Sequence, residues 1–223
     1  MNTAIIVAAG SGERFKSEVP KQFLEINGKP VIVHTLERIS AAPSIDAVVL
    51  VLAADRVAEY EARRGEFPKL AAVVKGGASR AESVLSGLNA VPDGCDLVAV
   101  HDGARPLVSV ADIEAVVAKA VETGAACLVA AVTDTIKSVR GGEIAATLDR
   151  DKLRRALTPQ AFRIEILKRA FETPEVNDSA TDESYLVEKL GHPVAFVEGS
   201  PRNIKITGPD DLIYAKALLG CDP

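Results

Sequence analysis

The stretch TAIIVAAGSGERFKSEVPK, Thr3 to Lys21, decides the reading of the whole chain. Ala4 to Ala9 is a continuous apolar run with neither charge nor alternation, the pattern of a parallel strand covered on both faces. Gly10, Ser11 and Gly12 then break it with a backbone carrying nothing larger than a hydroxymethyl group, so peptide N–H groups can turn toward a ligand. Arg14 and Lys21 bring positive charge to the same loop. A small-residue loop at the carboxyl end of a buried strand, with two cations in reach, has the chemistry of a phosphate cradle. Two better-known glycine loops do not fit. Phe15 stands where the Rossmann fingerprint needs a third glycine, and the Gly-Lys-Ser/Thr of a Walker A loop is missing.

Outward from that loop the chain alternates strands and helices. A short strand is expected at Phe23 to Ile26, a turn at Asn27-Gly28, and a helix after Pro30 with Ile32, Leu36 and Ile39 on one face. Ala47 to Leu52 and Ala72 to Lys75 read as buried strands, each followed by a helix. The second of these helices is capped by Ser79 and opens after another glycine pair, Gly76-Gly77. Leu97 to Val100 is a fourth strand, Val110 to Thr123 a helix, and Ala126 to Val132 a further buried strand. The rhythm predicts an α/β fold with a mostly parallel sheet, Rossmann-like in architecture.

His101-Asp102-Gly103-Ala104-Arg105-Pro106 directly follows the fourth strand. Ligands of open α/β sheets bind outside the carboxyl ends of strands, which puts Asp102 and Arg105 at the crevice. The carboxylate suits substrate hydroxyls or a metal-bound water, and the guanidinium suits a phosphate or Asp102 itself. From Asp134 to Leu157 the alternation stops. Gly141-Gly142 there reads as a hairpin turn between Ile136 to Arg140 and Glu143 to Leu148, and a lone hairpin needs another surface to lie on. Further on, Arg163 to Thr173 reads as an amphipathic helix, and Asn203 to Thr207 as a short strand on which Lys205 has the pattern of an edge gatekeeper.

Composition narrows the function. A chain of 223 residues, 48% hydrophobic and 26% charged, sustains one core, so 1–223 is taken as a single domain. A net charge of −5 gives no general basic field for nucleic acid, and any phosphate-binding cations are then local. Cys95, Cys127 and Cys221 lack metal-ligand or disulfide spacing and read as idle thiols. With no leader pattern before Thr3 and no run of about 18 apolar residues, the expected location is cytoplasmic, away from membranes.

The segments AAGSGERF, PKQF, GGASR with Ser83, HDGARP, TDT, DR, TPQ, TDE and NIKIT together resemble the nucleotidyltransferases that move a cytidylyl group to a polyol phosphate. Within them the likeness is greatest to the enzymes acting on 2-C-methyl-D-erythritol 4-phosphate in the non-mevalonate isoprenoid pathway. The resemblance implies a homodimer in which 134–157 is a dimerisation arm. It implies CTP contacts from Ala8, Ala9, Gly10, Gly12, Gly77 and Ser83, with Ala78 standing where many members carry a polar residue. It assigns Arg14, Lys21, Arg150 and Lys205 to catalysis, and Asp102, Arg105, Thr135, Thr158 and Thr181 to the substrate, with Mg2+ carried mainly on the CTP phosphates.

Such a reaction needs no general base, because a phosphate monoester, with a second pKa of about 6, is already anionic at neutral pH. Catalysis is positioning and charge neutralisation, and cations with backbone amides suffice. Two alternatives stay open at this level: the same transfer to ribitol 5-phosphate, and a CTP-binding regulatory module without chemistry.

Overall fold

The computed structural model describes residues 1–10, 15, 19–173 and 182–220. Strand β1 (Asn2–Ala8) lies in the interior of a seven-stranded sheet. It pairs in parallel with β4 (Ala47–Leu52) on one side and with β6 (Leu97–Asp102) on the other, and β5 (Leu70–Lys75) adds to β4. Between β1 and β4 the chain makes a small β2–β3 hairpin (Glu25–Ile26, Lys29–Pro30) and helix α1 (Val31–Ala41), and α2 (Ala54–Ala62) leads from β4 toward β5. Asn27 and Gly28 turn that hairpin with φ of 54° and 76°, the left-handed values a two-residue turn requires.

Helices cover both faces because alternate side chains of each strand point to opposite sides. Ala4, Ile6 and Ala8 of β1 pack with α1 and with α4 (Val110–Thr123). Ile5 packs on the other face with α3 (Arg80–Leu88), α5 (Ile164–Phe171) and α6 (Glu183–Lys189). This is the α/β architecture expected from the continuous apolar runs. Among the described residues no helix is long and apolar enough to cross a membrane.

The far side of the sheet departs from simple alternation. β7 (Ala125–Ala131) does not lie beside β6, because β10 (Arg154–Arg163) runs antiparallel between them, and β11 (Ala195–Glu198) closes the edge on β7. No strand was expected at Arg154–Arg163, and Pro159 is out of keeping with a central strand. The register with β7 shifts between Ala156 and Gln160, and the proline is accommodated at that irregularity. Arg163 ends this strand, so the following helix starts at Ile164 rather than at Arg163.

Two other expectations are corrected. The segment from Lys21 forms a 3-10 turn (Lys21–Phe23) before β2, and Gln22 is buried by it. Asn203 to Thr207 joins no sheet and is pinned instead by Ile206 N–H donating to the Ala104 carbonyl at 2.9 Å. The hairpin is as expected: β8 (Lys137–Arg140) and β9 (Glu143–Thr147) pair with each other among the described residues, and Val139 and Ile144 are 72% and 67% exposed. Cys127 is buried, which pushes its thiol up to about 11, and Cys95 is half-buried. Cys221 lies outside the described residues.

Candidate active site

The chain runs outward from β1 to β4 and β5, then returns across β1 to β6, so strand order reverses between β1 and β6. A crevice at such a reversal is where open α/β sheets bind ligands. A cavity of about 530 Å³ opens there, walled by the ends of β1 and β6, the loop after β5, Lys21, Gln22, Lys205 and Thr207. Close approach of its two glycine loops needs Gly76, where a Cβ would lie 2.4 Å from the Ala9 Cβ. Gly103 likewise lets the turn after β6 sit against β1, where a Cβ would meet that of Ala8 at 2.7 Å.

Each loop is held from within the fold. The Gln22 amide donates to the carbonyls of Ala8 at 2.8 Å and Gly10 at 2.9 Å. Gly77 N–H donates to the Ser83 hydroxyl, which donates to the Ser79 carbonyl. Ser79 caps α3, and Glu82 accepts from Ala78 N–H at 2.7 Å.

Three cations converge on Asp102. Its Oδ1 accepts from Arg80 Nε at 3.3 Å, and its Oδ2 from Arg105 Nε at 3.1 Å and Lys205 Nζ at 2.9 Å. Burial opposes the charge on this carboxylate, but Arg80, Lys205 and Arg105 outweigh it and hold its pKa far below the usual range. Arg80 also donates from Nη1 to Glu183 at 2.6 Å, and these two carboxylates raise its pKa against the effect of burial. Burial raises the pKa of Glu183.

Beneath the cluster lies a buried polar layer. The Thr158 hydroxyl accepts from Asp102 N–H at 3.1 Å and lies 3.0 Å from His101 Nδ1, while His101 Nε2 lies 3.2 Å from the Arg105 carbonyl. One arrangement satisfies all three: Thr158 donates to Nδ1 and the Nε2–H donates to the carbonyl, with the imidazole neutral. Complete burial pulls His101 down to about 4, in keeping with that state. Asn203 joins Thr158 to Arg105, donating to the Thr158 carbonyl at 2.8 Å and accepting from Arg105 Nη1 at 2.9 Å through its own carbonyl.

Residues 2–221 match the profile of the 2-C-methyl-D-erythritol 4-phosphate cytidylyltransferase family. The chain belongs to that family. A curated relative described by the same words, from Desulforamulus reducens, is 42% identical over 221 residues, covering 97% of this chain and 94% of its own length. A bifunctional enzyme from Desulfotalea psychrophila is 43% identical over 220 residues, and this chain spans 57% of its length. The crystal structure of 4-diphosphocytidyl-2C-methyl-D-erythritol synthase from Anaerococcus prevotii superposes with a TM-score of 0.87 at 28% identity, covering 98% of this chain and 96% of that one.

In this cytidylyltransferase, Ala8, Ala9, Gly10, Lys21, Gly77, Ser83, Asp102 and Lys205 all line the one cavity. Arg105 and Thr158 lie under it, 9% and 4% exposed, with the bonds just described directed at Asp102 and its support. Arg150 and Thr135 are exposed at the foot of the arm and are not among the lining residues. Gly12, Arg14 and Thr181 fall outside the described residues. Sequence reasoning passed over Arg80, Gln22 and Glu183. All three sit inside the quoted segments GGASR, PKQF and TDE, so position in a motif was the available signal.

Proposed function

We propose that the chain transfers the cytidylyl group of CTP to 2-C-methyl-D-erythritol 4-phosphate, releasing pyrophosphate and forming 4-diphosphocytidyl-2-C-methyl-D-erythritol for isoprenoid precursor synthesis. The observation that carries the chemistry is the charge of the cavity wall. The charged side chains among the described lining residues are Lys21, Arg80 and Lys205 with one carboxylate, Asp102, and much of the remainder is glycine and alanine. Such a wall receives two anionic substrates. His101 is fully buried and bonded on both nitrogens, so it does not act as a base on them.

A phosphate oxygen of the acceptor attacks the α-phosphorus of CTP, and the bond to the bridging oxygen breaks with its electron pair leaving on pyrophosphate. Lys21, with Arg14, neutralises charge on the triphosphate as it develops. The loops carrying Ala8 to Gly12 and Gly77 with Ser83 hold the nucleotide. Lys205 and the partner-directed Arg150 set the acceptor phosphate in line. Asp102, Thr135 and Thr181 take the polyol, and Arg105 and Thr158 fix the place of Asp102.

Among the described residues no three His, Cys, Asp or Glu side chains form a metal nest, and Asp102 already carries three cations. Mg2+ is assigned to the CTP phosphates, where it would supply further charge neutralisation. The whole chain acts as one nucleotidyltransferase domain, and 134–157 as an arm clasping a second copy. The exposed Val139 and Ile144, and an Arg150 that is not among the lining residues, support that reading. Free thiols at Cys95 and Cys127 suit the cytoplasm.

The test is pyrophosphate release with Mg2+, each of the four nucleoside triphosphates, and either methylerythritol phosphate or ribitol 5-phosphate. Release is expected with CTP and methylerythritol phosphate. Equal rates on the two acceptors, or no release at all, would overturn the assignment.

A further inference from the structure

The cations around Asp102 are not equivalent. Oδ2 is served twice, by Arg105 and Lys205, whereas Oδ1 has Arg80. Lys205 is the most exposed of the three, at 36% of its side chain against 28% for Arg80 and 11% for Arg105. It also sits on the irregular segment 203–207, outside any ladder. Arg80 is held from both ends, between Asp102 and the nearly buried Glu183.

Glu183 is itself fixed. Gln160 of β10 accepts from Ser184 N–H and donates to Asp182, both at 2.9 Å, and Asp182 caps α6 by accepting from Tyr185 N–H. The Arg80 guanidinium is thus tied through α6 to the middle of the sheet. Lys205 can leave Asp102 and still leave one guanidinium on each carboxylate oxygen.

We infer that Arg80 is a positioning residue for this reaction: it keeps Asp102 neutralised so that Lys205 is released to the acceptor phosphate. The inference rests on the reading that Lys205 takes that phosphate. Without Arg80, Asp102 remains a buried carboxylate with one oxygen uncompensated, and its hold on Lys205 tightens. The acceptor then competes with Asp102 for the same ammonium group.

The decisive measurement needs no turnover. Ligand-free protein is acetylated with a sulfosuccinimidyl ester at pH 8, and the rate at Lys205 is read by mass spectrometry against the exposed Lys152. A tighter ion pair withholds the lysine amine from the ester, and the expected fall in its labelling rate is about tenfold. Arg80→Ala is expected to slow labelling of Lys205 by about that factor relative to Lys152, and Arg80→Lys to restore most of the rate. Arg80→Gln, which keeps a neutral donor, is read in the same way should the alanine variant not fold. In steady state, Arg80→Ala should raise the KM for the acceptor about tenfold and leave the KM for CTP within about twofold. Unchanged or faster labelling of Lys205 overturns the inference, as does an equal rise in both KM values. Absence of product with wild-type protein would overturn the function reading instead, while the labelling result stands by itself.

Discussion

The side-chain amide of Gln22 donates to the carbonyl oxygen of Gly10 at 2.9 Å, across twelve positions of chain, and so holds the backbone that follows β1. The same nitrogen serves Ala8, and Gln22 is 3% exposed. Gln22→Ala leaves two carbonyls without their donor at a buried position, a loss of about 2 kcal/mol. Urea unfolding should register that loss, and initial rates should show the KM for CTP rising several-fold. An unchanged KM would mean that the loop holds its shape without Gln22.

In the proposed mechanism Lys21 meets the charge that develops on the triphosphate late in the reaction. Lys21→Ala is expected to lower turnover about a hundredfold while the CTP dissociation constant, read by calorimetry, changes little. Collapse of CTP affinity with intact turnover at saturation would make Lys21 a binding residue only.

Arg150 donates to the Thr133 carbonyl at 2.6 Å, at the foot of an arm whose Ile144 and Val139 are solvated in the single chain. Mixed Arg150→Ala and Lys21→Ala proteins, allowed to exchange subunits, should regain activity above either parent. One site of each hybrid then holds both wild-type residues. Hybrids visible by light scattering with no regain would place Arg150 in its own chain's site or in none.

His101 predicts a pH dependence of stability. Its folded pKa of about 4 lies below the ordinary 6.5, so the unfolded chain binds more protons between those values. Its contribution is full above pH 6.5 and is lost as pH falls toward 4. Between pH 7 and 5 the loss is about 2 kcal/mol, because it begins only at about pH 6.5 and then runs at about 1.36 kcal/mol per unit. Denaturation midpoints at the two pH values measure it, and His101→Asn should flatten the difference. A wild-type difference no larger than that of the variant would remove His101 as the cause.

Much of the site was readable in the chain because its parts are local. Gly10 and Lys21 share one loop region, Gly77 and Ser83 another, and Asp102 with Arg105 a third, each at the end of an apolar run whose direction follows from the alternation. Lys205 was different. On its pattern it read as an edge gatekeeper, and only the likeness of NIKIT gave it a phosphate; in the fold it leaves the sheet and turns onto Asp102. Nor did local sequence separate Arg105 and Thr158 from the lining residues, because burial beneath a carboxylate depends on what packs above it.

The sequence by itself determined the strands β1, β4, β6 and β7, since an uncharged apolar run of that length is stable only inside a covered sheet. It also determined the glycine loops, since small residues there are a backbone requirement. Tertiary structure alone decided β10. Leu157 to Phe162 is buried because β6 and β7 flank it, and Pro159 is tolerated where the register shifts, neither of which is written in RRALTPQAFR. It alone decided the meeting of Arg80, Asp102, Glu183 and Lys205, too. Their separations of 22 and 103 positions lie beyond any helical or strand period, and only the closing of the sheet brings them within hydrogen-bond reach.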